Sequence, residues 1–312
     1  MNKLDLNQKQ FSDLLNLSNN VFYPLIKFNN KKEILNILKK KKFGKKFFPM
    51  PIYFGLTKNI FNKIKNKKKL KLYYKTKYLM DIINIDFFLL NKNFFGKKIF
   101  GKNYNKHLYF KKFAKENYRF ISFEFKNKNL KNLKNKFFIS PKSFKKKNKL
   151  YKIKNLASFH TRNAPHSAHE WIHSYLLKKY KHLLIQPLVG QYNKGEYKDD
   201  IIVKTNKAVT KQYNSKKVFM IPFFSYPRYG GPREAALHAL VRKNYGCTHF
   251  WVGRDHASYK DFYKKYESQK FCKRNEKKLK IKIVPGKEPY FCSNCKRVTN
   301  YCKSARCSKS TV

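Results

Sequence analysis

The sequence predicts an α/β protein whose second half is built on a parallel β-sheet. Strand-like and helix-like patterns alternate after residue 150, as in parallel sheets whose strands are joined by helices. The chain has 312 residues, enough for two domains that each bury a core. Hydrophobic residues make up 42% of the chain and aromatic residues 17%, which excludes a disordered polypeptide.

Six segments of the second half carry this prediction. Short apolar runs predict strands at Lys154–Phe159, Leu183–Val189, Val218–Phe224 and Thr248–Val252. Apolar residues at helical spacing predict a helix over Pro165–Tyr180, and Gly-Gly-Pro before Gly246 predicts another over Pro232–Tyr245. Ligands bind at the carboxyl ends of parallel strands, so functional residues are expected in the loops that follow them.

The first half has a different composition. Residues 1–150 contain one arginine and are rich in Lys, Asn and Phe. Strand-like patterns occur at Phe48–Leu56 and Phe120–Phe125, and Lys142–Lys149 is predicted to be a polar linker. We therefore expect an N-terminal domain over residues 1–150, an α/β domain over 151–270 and a Cys-rich segment over 271–312.

The charge of the chain is extreme. Lys and Arg number 73 and Asp and Glu 17, which gives a formal net charge of +56. Nine of these cations are arginines and 64 are lysines, and the lysines accompany abundant Asn, Ile, Phe and Tyr. All five are residues of A/T-rich codons, so we interpret the lysine excess as compositional drift. A nucleic-acid-binding surface is the less favoured alternative.

Membrane and export classes are disfavoured. The most apolar window, Tyr78–Leu90, contains Asp81 and Asp86 and falls short of the roughly 18 apolar residues of a membrane helix. The N-terminal residues lack the charged-then-apolar pattern of a signal peptide. The sequence thus predicts a cytoplasmic protein with reduced thiols and no membrane partner.

The first group of chemistry-bearing residues is HTRNAPHSAHE, residues 160–170. It follows a predicted strand, and it places His166 and His169 at the first turn of a helix, where free amides favour an anion. Arg162 adds a planar donor suited to phosphate or sulfate. A structural histidine pair or a metal site is the alternative, and Arg162 disfavours a metal cation.

Two further groups also follow predicted strands. One is YPRYGGPREAALHA, residues 226–239, in which Arg233 at a helix start needs either Glu234 or an anionic ligand to balance it. The other is GRDHA, residues 253–257. A parallel sheet brings strand ends together, so the three groups predict one anion or nucleotide site. Arg228 and Arg233 are candidates for phosphate contact or for support of the site.

These residues resemble the ATP sulfurylase (sulfate adenylyltransferase) family. Its motifs Gln-Thr-Arg-Asn-Pro-x-His-x-x-His, Ala-Gly-Pro-Arg-Glu-Ala and Gly-Arg-Asp-His-Ala-Gly correspond here to residues 160–169, 230–235 and 253–258. The stretch PLVGQYNKGEYKDD (187–200) is similar to a further family motif, and FPMPIYF (48–54) and ISPKSF (139–144) match more faintly. The resemblance implies a Rossmann-like nucleotidyltransferase domain preceded by a β-rich, PUA-like N-terminal domain.

The resemblance also implies a reaction and its residues. ATP, with Mg²⁺, and sulfate would give adenosine 5′-phosphosulfate and pyrophosphate, or the reverse. Sulfate would be held by His160, Arg162 and the Ala257 amide. The catalytic candidates would bind ATP and stabilise the charge of the transition state. They are Arg162, Asn163, His166, His169 and Arg254. The nucleotide would contact Thr161, Asn163, His169, Gly253, Arg254, Asp255 and His256.

The chain departs from the family pattern at some points. His160 stands where the motif has Gln, which predicts pH-dependent charge at the sulfate site, and Ser258 replaces Gly. The family continues beyond the point matched by Val312, with a Ser-Gly-Thr segment near the triphosphate. An inactive truncated remnant is therefore an alternative, as is a basic zinc-ribbon protein that binds nucleic acid. The sequence leaves open whether the chain is a homo-oligomer.

The six cysteines are Cys247, Cys272, Cys292, Cys295, Cys302 and Cys307. Cys292 and Cys295 have the C-x-x-C spacing of a zinc knuckle, with Cys302 and Cys307 as third and fourth candidate ligands. A redox motif is less favoured, because no thioredoxin-like unit surrounds the pair. The sequence thus predicts a structural zinc site, and it predicts that Cys247 is a buried, inert thiol.

Overall fold

A computed structural model describes residues 2–116, 119–129, 131–150, 153–190, 197–302 and 309–310. The N-terminal part contains a five-stranded sheet of order β1-β5-β6-β7-β4, in which β1 and β5 are parallel and the other pairs antiparallel. A small hairpin, β2–β3, lies outside it. The strands are β1 (Lys3–Asp5), β2 (Lys42–Phe43), β3 (Lys46–Phe47), β4 (Phe54–Leu56), β5 (Lys69–Tyr74), β6 (Lys77–Leu89) and β7 (Arg119–Lys126).

Helices surround this sheet. They are α1 (Gln8–Ser18), α2 (Lys31–Lys40), α3 (Lys58–Ile64), α4 (Lys92–Phe100) and α5 (Leu108–Glu116). Local capping explains where α1 and α2 begin, since Asn7 and Asn30 each accept a hydrogen bond from the third helical amide. The strand predicted at Phe120–Phe125 is confirmed as β7. The one predicted over Phe48–Leu56 is a strand only at its end, because Pro49 and Pro51 lack the amide that a ladder needs.

The second half forms the predicted parallel sheet, of order β10-β9-β8-β12-β13, with β11 also parallel to β9. Its strands are β8 (Leu156–Thr161), β9 (His182–Val189), β10 (Val218–Met220), β11 (Phe223–Phe224), β12 (His249–Val252) and β13 (Lys282–Pro285). Its helices are α6 (Pro141–Leu150), α7 (Ser167–Tyr180), α8 (Asp199–Thr210), α9 (Gly231–Tyr245), α10 (Glu267–Arg274) and α11 (Glu276–Leu279). The α/β fold class is thereby confirmed.

The linker predicted over Lys142–Lys149 is wrong, because these residues lie in α6. Ser140 accepts a hydrogen bond from the Ser143 amide, and Pro141 suits the first helical position. Phe144 is buried, with its ring 5.7 Å from Phe219 and 6.1 Å from Tyr245. The buried Phe144 ring and the favourable N-terminal residues Ser140 and Pro141 therefore explain why this lysine-rich segment is a helix packed against the core.

A third, small sheet of order β15-β14-β16 is antiparallel. Its strands are β14 (Tyr290–Cys292), β15 (Arg297–Thr299) and β16 (Lys309–Ser310). Cys292 is the last residue of β14, and Cys295 lies in the turn between β14 and β15. No helix in the described ranges is long and apolar enough to span a bilayer.

The main hydrophobic core runs across both halves of the chain, from Leu4 to Ile283. Polar contacts also join the halves: Asn16 Nδ2 donates to the Phe224 carbonyl at 2.8 Å, and Asn244 Nδ2 donates to the Val21 carbonyl at 3.0 Å. The domain boundaries at residues 150 and 270 stay predictions. The N-terminal part and the parallel sheet nevertheless share one core.

Candidate active site

A cavity of about 240 Å³ lies at the carboxyl ends of β8 and β12. It is lined by the loops after these strands, by the loop before α9 and by α9 itself. The lining residues are Phe159, His160, Thr161, Arg162, Asn163, His169, Ile172, Leu188, Pro227, Tyr229, Glu234, His238, Trp251, Gly253, Asp255, His256 and Ala257. All three groups of residues singled out in the sequence therefore contribute to one cavity.

Arg162 reaches from the end of β8 towards the loop before α9. Its Nη1 donates to the Tyr229 hydroxyl at 2.5 Å, and its guanidinium lies 4.8 Å from the centre of that ring. Tyr229 is in turn stacked on Tyr109, with centroids 3.9 Å apart. Two aromatic rings thus hold the cation at the cavity wall, which reduces the entropy that it loses on binding an anion.

Thr161 and His169 lie beside Arg162. The Thr161 hydroxyl accepts from the Asn163 amide at 3.0 Å and lies 3.5 Å from His169 Nε2. Burial lowers the pKa of His169 to about 3, helped by His166 and His173, so the ring is neutral at physiological pH. His166 precedes α7 and is exposed, with its centroid 4.0 Å from that of His169. It does not line the cavity among the residues that the structure describes.

The loop after β12 supplies Gly253, Asp255, His256 and Ala257 to the cavity. Ala257 has a φ of 60°, a left-handed backbone that an alanine adopts only where its surroundings enforce it. Its carbonyl accepts from the Gly231 amide at 3.1 Å, which ties this loop to the start of α9. The strained turn fixes the direction of the Ala257 amide, which is the predicted sulfate donor.

Arg254 is placed differently from the cavity-lining residues. Its Nη1 donates to both carboxylate oxygens of Glu288, at 2.5 and 2.6 Å, and its Nη2 donates to Asp255 at 3.1 Å. The side chain is about a third exposed. In this arrangement Arg254 sits at the rim, and contact with a triphosphate would require it to leave Glu288.

Arg228 of the loop before α9 and Arg233 of the first turn of α9 support the site without lining it. Arg228 forms an ion pair with Asp13 of α1, and both side chains are at least nine-tenths buried. Arg233 donates to the Ile37, Leu38 and Pro49 carbonyls at 2.8 to 3.2 Å, so main-chain acceptors around the end of α2 balance it. Glu234 accepts from the Arg228 and Gly230 amides instead of pairing with Arg233.

Three of the cavity-lining histidines lie close to one another, and one of them contacts the buried Arg242. His238 Nδ1 lies 3.0 Å from His256 Nε2, and His160 Nδ1 lies 2.6 Å from Arg242 Nη2. Burial lowers the pKa of His160 and His238 well below the ordinary value, and lowers that of His256 to about 3. Arg242 is the next largest cause in all three. The sequence predicts a charge at His160 that depends on pH, and burial moves that titration well below neutral pH, so the ring is neutral there.

From the sequence, no role was predicted for Tyr229, His238, Arg242 or Trp251, although Tyr229 and His238 lie within the second group of residues singled out there. A signal for two of them was available, because Glu234, His238 and Arg242 are spaced four apart on α9 and share one helix face. Polar residues at that spacing in a helix that is buried along almost its whole length mark a face that needs hydrogen-bond partners. Nothing local indicated Tyr229, whose role depends on Arg162, 67 residues earlier.

The three described cysteines of the predicted zinc site lie together. Cys295 Sγ is 3.4 Å from Cys302 Sγ, and the Cys295 amide donates to Cys292 Sγ at 3.4 Å. Their sulfur atoms all lie within 4.8 Å of one another. Hydrogen bonds to Cys302 and Cys292 raise the pKa of the Cys295 thiol to about 11. Cys307 lies outside the described residues.

A larger cavity of about 1090 Å³ lies away from these motifs. Lysines and Arg274 line much of it, beside the C-terminal ends of α2, α10 and α11. Cations at such ends complement the negative pole of the helix dipole. This arrangement accounts for their position without a ligand.

Two protein-family models match the chain. Residues 135–311 match the model of the ATP-sulfurylase family, and residues 1–123 match that of a PUA-like domain. The chain belongs to the ATP-sulfurylase family. A curated relative from Ignicoccus hospitalis, named sulfate adenylyltransferase, is 28% identical over 93% of this chain and 76% of its own length. Another from Carboxydothermus hydrogenoformans is 41% identical over 46% of this chain and 38% of its own.

A solved structure has the same fold. The hexameric APS kinase from Thiobacillus denitrificans aligns with all of this chain at a TM-score of 0.76 and 14% identity. The chain spans 57% of that protein's chain. At this identity the likeness concerns the fold alone, which is a PUA-like N-terminal part followed by a mixed α/β part with a parallel sheet.

Proposed function

We propose that the protein is a sulfate adenylyltransferase that converts ATP and sulfate into adenosine 5′-phosphosulfate and pyrophosphate, or runs this reaction in reverse. The observation that carries the proposal is the convergence of Arg162, neutral histidines and the Ala257 turn on one cavity at the carboxyl ends of parallel strands. The Arg162 guanidinium, the Ala257 amide and neutral imidazole N–H groups give the cavity donors for an anion. The cavity therefore suits two anionic substrates.

In the forward reaction a sulfate oxygen attacks the α-phosphorus of ATP. One phosphorus–oxygen bond forms, the bond to the β-phosphate oxygen breaks, and pyrophosphate leaves with the electron pair. Sulfate is a weak nucleophile, so the protein contributes mainly orientation and stabilisation of charge. Arg162, His160 and the Ala257 amide would hold sulfate, and Asn163, His166 and His169 would face the phosphates. Thr161, Gly253, Asp255 and His256 would line the nucleotide side, with Arg254 released from Glu288.

The family implies that Mg²⁺ accompanies ATP. Among the described cavity residues, Asp255 offers an exposed carboxylate, while Glu234 is buried and already accepts two amide hydrogen bonds. Mg²⁺ usually keeps several waters and binds through substrate phosphates with one or two carboxylates. The site fits this mode, in which Asp255 is the protein ligand and the ion offsets phosphate charge.

Pyrophosphate release tests the proposal. The purified chain with ATP and Mg²⁺ is expected to release pyrophosphate only when sulfate is added, and incorporation of labelled pyrophosphate into ATP is expected to need adenosine 5′-phosphosulfate. Pyrophosphate release without sulfate, or none at high enzyme concentration, contradicts the proposal. The latter result would favour the inactive remnant. Strongly salt-dependent DNA binding that survives Arg162→Ala would favour the nucleic-acid alternative. A homo-oligomer and a cytoplasmic location stay predictions.

We also propose a structural zinc ion at the cysteine cluster. Zinc requires sulfur ligands that converge as closely as those of Cys292, Cys295 and Cys302, and a divalent cation offsets the repulsion between neighbouring thiolates. Cys307 is the proposed fourth ligand. The cluster does not share residues with the cavity, so the ion would hold the β14–β15 turn and take no part in the reaction.

The zinc proposal gives a direct measurement. The purified chain is expected to contain about one zinc per molecule by metal analysis, and a strong chelator is expected to lower its melting temperature. Cys295→Ser is expected to lose the zinc, because three sulfur ligands hold it less tightly. The control Asn294→Ala changes the same turn but keeps every thiol. A full equivalent of zinc in Cys295→Ser rules out this ligand set.

A further inference from the structure

Arg242 is a cation buried without a carboxylate partner among the described residues. Its side chain is fully buried in α9, and its guanidinium lies 5.0 Å from the Phe223 ring centre and 5.5 Å from that of Phe250. Nη1 donates weakly to the His238 carbonyl at 3.4 Å, and Nε has no hydrogen-bond partner. Burial lowers the pKa of Arg242 to about 9, so it remains a cation at neutral pH. Burying a charge without a carboxylate partner costs free energy, so a function is expected for this arginine.

The shortest contact of Arg242 is with His160. Nη2 lies 2.6 Å from His160 Nδ1, and a guanidinium has hydrogen atoms to donate but no lone pair to accept with. Nδ1 must therefore be the acceptor and carry no proton. A neutral imidazole has one proton, so in His160 it resides on Nε2. Arg242 thus selects one tautomer of a ring that lines the cavity.

The charged groups around His160 act in the same direction. Arg242 and His238 face it from α9, His256 from the loop after β12, and Arg162 from its own loop. After burial, each of these disfavours a proton that would make His160 a cation. The pKa of His160 is therefore far below neutrality, and the ring is a neutral donor through Nε2.

The same contact argues against a metal ion in the histidine cluster. One ring nitrogen from each of His160, His238 and His256 lies within 4.8 Å of the others, close enough for a metal. With Nδ1 committed to Arg242 and Nε2 protonated, however, His160 has no lone pair for a cation. Two guanidinium groups nearby also oppose one. The cluster is suited to an anion.

We propose that Arg242 is a positioning residue that fixes His160 as an Nε2–H donor, and that this donor-only ring makes the site favour sulfate over hydrogen phosphate. The proposal rests on the proposed function. Sulfate carries no proton at neutral pH, whereas phosphate carries at least one. A phosphate hydroxyl that faces Nε2–H has no acceptor there and loses a hydrogen bond, while a sulfate oxygen accepts one. Without Arg242 the ring could change tautomer and accept from phosphate.

The tautomer is tested first, and independently of catalysis. Nitrogen-15 NMR of the uniformly labelled chain reports the proton position on each histidine ring, and His160→Gln identifies the His160 signal by its loss. We expect a protonated Nε2 and an unprotonated Nδ1 for His160 between pH 6 and 8.5. A protonated Nδ1, or a charged ring in that range, overturns the proposal even if the enzyme is active.

Selectivity is tested by binding. Calorimetric titration with sodium sulfate and with sodium phosphate gives a ratio of dissociation constants for each protein. Arg242→Met is expected to weaken sulfate binding about tenfold. The ratio of the two dissociation constants is expected to change in favour of phosphate by more than this factor. Arg242→Lys, which still donates, is expected to restore part of the ratio. The matched control Arg274→Met removes an exposed arginine and is expected to change neither.

Two further comparisons keep the test decisive. In a His160→Ala background, Arg242→Met is expected to leave the sulfate-to-phosphate ratio unchanged, because the ring through which Arg242 acts is gone. An equal loss of both anions in Arg242→Met indicates a purely structural arginine and overturns the proposal. If Arg242→Met does not fold, the sulfate-to-phosphate ratio of Arg242→Lys is compared with that of the double variant Arg242→Lys with His160→Ala. Equal ratios in these two proteins overturn the proposal. Failure of the proposed function differs from all of these, since it is an absence of sulfate-dependent pyrophosphate release.

Discussion

Replacing Arg162 by alanine is expected to lower kcat/KM for sulfate roughly 10²- to 10³-fold, the range found when one donor to a developing charge is removed. Arg162 is the cation of the described cavity lining, and Tyr229 and Tyr109 hold it in place. No other side chain in the described lining of the cavity offers a planar, two-pronged contact with a tetrahedral anion. Initial rates of pyrophosphate release at varied sulfate, with ATP saturating, measure this effect.

Two controls distinguish the loss of a donor from damage to the fold. Arg274→Ala removes an exposed arginine away from the cavity and is expected to keep kcat/KM within twofold. Tyr229→Phe keeps the stacked ring but removes the hydroxyl that holds Arg162, and a smaller loss of about tenfold is expected. If Arg162→Ala retains activity within threefold of the wild type, Arg162 does not contact the substrate.

The largest effect on stability is expected from Asp13→Asn, which should lower the free energy of unfolding by about 3 to 5 kcal/mol. The side chains of Asp13 and Arg228 are 3% and 8% exposed, and the Tyr226 hydroxyl donates to the same carboxylate at 2.8 Å. The asparagine has nearly the same shape, but it removes the only carboxylate that the buried Arg228 guanidinium contacts among the described residues. Urea denaturation followed by circular dichroism measures the change.

Asp5→Asn is the matched control for this experiment. Asp5 pairs with Lys3 at 3.3 Å, but its side chain is 60% exposed, and such pairs contribute about 1 kcal/mol or less. The double variant Asp13→Leu with Arg228→Met removes both charges and is expected to be more stable than Asp13→Asn alone. A destabilisation below 1 kcal/mol in Asp13→Asn means that Arg228 finds another partner or water.

The parts of the fold that follow from local pattern were predictable. β8, β9, β10 and β12 follow largely apolar runs and were predicted, whereas β13 has exposed residues at both ends and was not. The helix α9 begins within Gly-Gly-Pro, at Gly231, and Gly246 with a φ of 96° closes it. Because parallel strands end at one edge, the gathering of Arg162, His256 and Ala257 also followed from the sequence. The helix at Lys142–Lys149 did not, because its stability depends on Phe144 meeting Phe219.

The functions of individual arginines were less predictable, because each depends on a partner distant in the chain. Arg254 pairs with Glu288, 34 residues later, and Arg228 pairs with Asp13, 215 residues earlier. Arg233 donates hydrogen bonds to main-chain carbonyls, and no sequence pattern reveals these acceptors. Charge, spacing and motif gave the location of the site, whereas the partner that each cation meets is set by tertiary packing.

The core that extends from Leu4 to Ile283 bears on how the chain folds while it is being synthesised. Asn16 and its acceptor Phe224 are separated by 208 residues, which a ribosome takes about 10 to 40 s to add at 5 to 20 residues per second. During that interval the apolar residues of the N-terminal part that pack against the second half lack these partners. Repulsion between the lysines of the N-terminal part is expected to keep such nascent chains apart. The excess of positive charge thereby acts as an aggregation barrier before the protein is complete.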